Sequence, residues 1–80
     1  MRLPRDLSGA SLAAALVSLG YHVTRHMGSH IRLTTLENGE HHLTIPNHDP
    51  LRLGTLSGIL KAVADHVGMS KDEVAEKLFD

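Results

Sequence analysis

The stretch HMGSHIRL, His26 to Leu33, carries the residue types best suited to moving protons in this 80-residue chain. Two histidines flank Met27-Gly28-Ser29, and Arg25 and Arg32 lie close by. Imidazole acts as general acid or general base near neutral pH without a metal. RNA supplies its own nucleophile, the 2′-hydroxyl. Its cleavage therefore needs one group to take that proton and one to protonate the leaving oxygen. Arginine stabilises charge on the phosphate. Gly28 removes a Cβ where a phosphate backbone would approach, and Ser29 offers a hydroxyl and a main-chain N–H. Spacing alone leaves other uses open, because Gly-Ser is ordinary turn chemistry and exposed strand histidines can simply be solvated.

Clustered imidazoles also bind metals, but a site needs three or four ligands at about 2.1 Å from one ion. Neither CxxC nor HExxH spacing occurs, and at most His26, His30 and His48 could converge. No metal and no cofactor is expected.

The elements that must position these residues are readable from periodicity. Leu12, Leu16 and Leu19 repeat at helical spacing, with Ser8 as N-cap and Gly20 as stop. YHVTRH alternates with period two, as do HIRLTTL and HHLTIP, which predicts three strands. Leu56, Leu60, Val63 and Val67 mark a second helix, with Thr55 as cap and Gly68 as stop. Ser70 and Glu73 form a capping box that opens a short third helix with Val74 and Leu78 inward. The order is α-β-β-β-α-α, an α+β chain whose three-stranded antiparallel meander has one apolar face covered by helices. The opposite face should carry His22, Thr24, His26, His30, Arg32, Thr34, His42 and Thr44.

Register places the histidines. A three-residue loop, Met27-Gly28-Ser29, would oppose His26 and His30 directly, about 5 Å apart at Cβ. In the second hairpin, a two-residue Asn38-Gly39 turn throws Leu33 out of phase. Keeping Leu33 with Leu43 and Ile31 with Ile45 requires a longer loop or a bulge, and it brings Pro46 or His48 beside His30.

Length predicts one domain, residues 1–80. A chain this small buries only about 60% of its unfolded surface, so the core is thin. There is no cysteine to staple it, which fits a reducing, cytoplasmic setting. SLAAALVSL after Arg2 and Arg5 could pass for a signal sequence. The run is short, Asp6 precedes it and no small-residue cleavage site follows. No segment approaches the roughly 20 apolar residues of a membrane span.

The net charge of −1 is not the excess of a strong general nucleic-acid binder, but it is unevenly spread. Residues 1–36 carry four arginines against Asp6, whereas residues 37–80 carry four basic side chains against eight acids. Single-strand RNA platforms stack bases on aromatic rings. Tyr21 points inward and Phe79 lies near the tail, so any RNA contact should run through shape, phosphate and 2′-hydroxyl.

From residue 3 to about residue 67 the chain resembles the HicA family, small mRNA-interferase toxins of toxin–antitoxin pairs. The resemblance rests on LPRDLSGASLAAALVSLGY, GSHIRL and HHLTIPNHDPLRLGTLSGIL, and more loosely on GMSKDEVAEKL. It implies a double-stranded-RNA-binding-like fold, α-β-β-β-α, here with an extra short C-terminal helix. It implies metal-independent mRNA cleavage with His30 as the catalytic residue of the Gly28-Ser29-His30 motif, and a HicB-type antitoxin that covers the active face. Arg25, Arg32, His26 and His48 join the substrate-binding set on geometric grounds only. Met27 stands where family members often have lysine, and the chain is less basic than the family's habit; both reduce phosphate attraction. The expected function is thus an antitoxin-inhibited ribonuclease toxin. The alternative is a non-catalytic RNA- or protein-binding module of the same fold.

Overall fold

Leu12 and Leu16 fall on one side of the first helix, α1 (Gly9–Leu16), and both are fully buried. Ser8 caps this helix, its hydroxyl accepting from the Ser11 N–H at 3.0 Å. A single 3-10 turn, Val17–Leu19, follows and ends on Gly20 at φ 93°, a conformation that costs glycine nothing. The computed structural model describes residues 3–79.

The chain then runs through β1 (His22–Met27), β2 (His30–Thr35) and β3 (His41–Pro46), an antiparallel sheet in the order β1-β2-β3. Ile31 pairs with Ile45 and Leu33 with Leu43, which stacks the apolar residues of both strands on one face. The connection that preserves this phase is the five-residue loop 36–40, with Asn38 and Gly39 at positive φ. That face of the sheet is covered by α1 and α2 (Leu53–Val67), and α3 (Lys71–Phe79) packs against α2 and α1. Leu56, Leu60 and Val63 of α2 and Val74 of α3 meet Tyr21, Leu33 and Ile45 in one core. Each such side chain contributes about 1.5–3 kcal/mol on burial. The observed α+β architecture matches the α-β-β-β-α order of the double-stranded-RNA-binding-like fold, with α3 added.

The Ser70–Glu73 capping box forms in both directions: the Ser70 N–H donates to the Glu73 carboxylate at 2.9 Å, and the Glu73 N–H to the Ser70 hydroxyl at 3.1 Å. Gly68 closes α2 at φ 74°. Thr55, in contrast, does not cap α2. The helix begins at Leu53, after Arg52 in extended conformation. Leu51 is buried and its N–H is bonded to the Leu7 carbonyl at 2.8 Å. That anchor fixes the chain just ahead of the helix, so the helix starts before Thr55.

The first hairpin departs from the three-residue loop. Met27 pairs with His30 across a two-residue turn, Gly28-Ser29, and His26 pairs with Ile31. The difference is absorbed by a bulge between Val23 and Arg25. Paired residues share a face. Arg25 therefore lies with Arg32 on the outer face, and His26 turns to the helix-covered side.

Candidate active site

The outer face is built from the turn outward. Gly28 takes φ 35°, and Ser29 leads directly into β2. The Ser29 hydroxyl lies 2.9 Å from Nδ1 of His30, while among the described residues nothing bonds His30 Nε2. Beside the ring is an open hollow of about 380 Å³ lined by Arg25, Met27, His30, Arg32 and Thr44. Arg25 and Arg32 are directly opposed across the β1–β2 ladder. Two like charges so placed repel, and an anion between them removes the repulsion. No carboxylate lines the hollow. The chemistry on offer is one imidazole with its far nitrogen open, a hydroxyl on its near nitrogen, and paired cations alongside.

The family model described as the HicA toxin of bacterial toxin–antitoxin systems matches residues 9–64. The chain belongs to the HicA toxin family. No curated protein and no solved structure gives a significant match. The matched segment contains all three strands, the Gly28-Ser29-His30 turn and most of α2; α3 lies beyond it. As a HicA toxin, the protein is the toxin half of such a pair and has an antitoxin partner.

The structure gathers Arg25, His30 and Arg32 of this HicA toxin at the hollow, and Gly28 and Ser29 form the turn that joins its lining residues Met27 and His30. It does not bring His26 opposite His30, because the two-residue turn shifts the pairing by one. His48 is exposed on the loop after β3, and its carbonyl accepts from the Gly9 N–H at 2.9 Å. It is not among the residues lining the hollow. The convergence of His26, His30 and His48 is thus not formed. Among the described residues no group of three or more histidines, cysteines or carboxylates is arranged to hold a metal.

Three other histidines, His41, His42 and His66, are engaged elsewhere. His42 sits further along the outer face, its Nδ1 2.8 Å from the Thr34 hydroxyl and its Nε2 2.8 Å from Glu40. Thr34 in turn meets Thr24 at 3.1 Å. Both nitrogens of His42 are occupied, so it offers no open position to a phosphate. At the far end of the molecule His41 and His66 stack with centroids 4.3 Å apart, and the Tyr21 hydroxyl lies 2.7 Å from His41 Nδ1. His66 Nε2 donates to the carbonyls of Glu37 and Gly39, at 2.8 and 3.1 Å, and so fastens α2 to the 36–40 loop. Burial, followed by the neighbouring His66 and His42, pushes His41 below the usual imidazole range. Burial raises the Tyr21 phenol. This cluster is structural.

Sequence reasoning missed Asn47. It follows the proline that ends β3, with no apolar phase to mark it, yet it bonds the turn that carries His30 twice. The only advance signal was its place in a Pro-Asn-His loop predicted to come near His30.

Proposed function

We propose that this HicA toxin is a metal-independent endoribonuclease that cleaves mRNA, with His30 as the catalytic acid or base. Its HicB-type antitoxin inhibits it by covering the outer face. The observation that supports this is the placing of His30: Nδ1 is held by Ser29 at 2.9 Å, and the ring lines a hollow flanked by Arg25 and Arg32. With Nδ1–H donating to the serine oxygen, Nε2 presents a lone pair and takes the 2′-hydroxyl proton. Once protonated, the ring is imidazolium: Nδ1–H still donates to the serine oxygen, and Nε2–H delivers its proton to the leaving oxygen. Ser29 serves both forms in the same way, its oxygen accepting from Nδ1–H. The arginines hold the scissile phosphate and stabilise the charge that builds on it. The 2′-oxygen bonds to phosphorus as the P–O5′ bond breaks. The products are a 2′,3′-cyclic phosphate and a 5′-hydroxyl.

The test is induction of the wild type against His30→Gln, both confirmed folded, with growth and total mRNA integrity followed. Arrest with mRNA decay in the wild type alone, and 5′-hydroxyl ends on the fragments, is the expected result. Ends bearing 5′-phosphate, or cleavage in vitro abolished by EDTA, refute the mechanism. Equal behaviour of the two proteins returns the outer face to a non-catalytic binding module.

A further inference from the structure

We propose that Asn47 is a positioning residue for His30, a clamp that holds the Gly28-Ser29 turn from outside the hairpin; this rests on the reading of His30 as the catalytic group. The turn needs an external hold. It is only two residues long and exposed, and a Cβ placed on Gly28 would meet nothing within 4 Å, so that side of the tip is open. What touches it is one residue from the loop after β3. The Asn47 backbone N–H donates to the Ser29 carbonyl at 2.8 Å, and its side-chain amide donates to the Gly28 carbonyl at 3.1 Å. The same amide nitrogen lies 3.4 Å from His26 Nε2, where its second hydrogen points at a ring nitrogen able to accept. One side chain and its backbone therefore engage residues 26, 28 and 29, which are all but Met27 of the four that precede His30.

The arrangement separates position from stability. Asn47 is exposed, so the Gly28 carbonyl bonds water once the amide is gone, and the fold loses little. The direction of the peptide leading into Ser29 and His30 is no longer fixed. An imidazole that must meet a 2′-hydroxyl in line is sensitive to such slack, since misplacement by about 1 Å costs up to about a hundredfold in rate. The loss belongs to the chemical step rather than to binding, because Asn47 does not line the hollow that receives the phosphate.

The test is steady-state cleavage of a short labelled RNA by the purified wild type, Asn47→Ala, Asn47→Asp and His30→Gln, beside their thermal unfolding. Both Asn47 variants keep the backbone donor to Ser29. Asn47→Asp also keeps the size of the side chain while removing the donor, which guards against a packing defect in the alanine variant. The expected result is a kcat lowered by about tenfold or more in both, with KM within about twofold and unfolding temperature near wild type. If His30→Gln is inactive while both Asn47 variants retain wild-type kcat, the clamp is refuted and the active-site reading stands. If the Asn47 variants raise KM and leave kcat alone, Asn47 binds substrate and the clamp is likewise refuted. If His30→Gln cleaves as well as the wild type, the active-site reading fails first and the clamp falls with it.

Discussion

Arg25 and Arg32 face each other across the first two strands with the hollow beside them, and their contribution to RNA binding can be worked out as a salt dependence. A contact that neutralises one phosphate of a single strand contributes about −0.7 to the slope of log affinity against log salt. If both arginines engage phosphate they supply about −1.4, a roughly sevenfold weakening between about 50 and about 200 mM salt. Arg25→Gln or Arg32→Gln should remove about half of that, leaving roughly a 2.6-fold weakening from the pair over the same range. The substitution is clean in the fold, because removing one of two opposed cations relieves repulsion rather than breaking a bond. Unfolding temperature should hold or rise slightly. The assay is binding of a short RNA to His30→Gln protein, which prevents cleavage, as salt is varied at pH 8, where imidazolium contributes little. Slopes identical to the parent in both arginine variants would refute the placing of phosphate at this hollow, whatever His30 does.

Two further outcomes test the framework that carries the site. Gly9→Ala should destabilise the protein by about 1–3 kcal/mol in thermal unfolding, since the added Cβ would overlap the Pro46 carbonyl where α1 starts against the end of β3. Helix propensity alone favours alanine by about 1 kcal/mol, so a stabilised variant would show that this approach is not as close as described. His41 is held below its ordinary value by burial first and by His66 and His42 after it. The unfolded chain therefore takes up its proton before the folded one does. Stability from this group is whole above about pH 6.5, the ordinary imidazole value, and falls as pH drops from there toward the lowered folded value. His41→Gln should flatten the dependence of unfolding temperature on pH in that window, and an unchanged curve would place the acid sensitivity elsewhere.

The element order, the Ser8 cap, the Ser70–Glu73 capping box and the pairing of Leu33 with Leu43 were all legible in the sequence. Each is set by residues close in the chain or by apolar phase, which a single sequence displays. The start of α2 was not, because it depends on Leu51 docking against Leu7, a contact between residues far apart. The fates of the histidines were legible only in part. Composition shows seven of them, but only tertiary packing stacks His41 on His66 or seats His42 between Thr34 and Glu40.

The composition of the hollow turns on a choice of one residue that local sequence leaves undecided. Two solutions set the half-exposed Val23 opposite the buried Leu33. A three-residue loop over Met27-Gly28-Ser29 with regular pairing gives that partner, and so does a two-residue turn over Gly28-Ser29 with one extra residue in β1. Gly28 suits either turn. The structure adopts the second, and the extra residue is taken up by the bulge at Thr24, whose hydroxyl meets that of Thr34 at 3.1 Å. Between bulge and turn the faces of β1 are thereby exchanged. The regular hairpin would set His26 beside His30 and turn Arg25 toward Ile31, giving two imidazoles and one outward cation. The bulged hairpin sets Arg25 opposite Arg32 and sends His26 to Asn47, giving one imidazole beside two paired cations. For a reaction on a phosphodiester the exchange favours holding the phosphate over supplying a second histidine, and it makes His26 part of the support for the turn. The bulge is thus as much a part of the candidate site as the residues that line it.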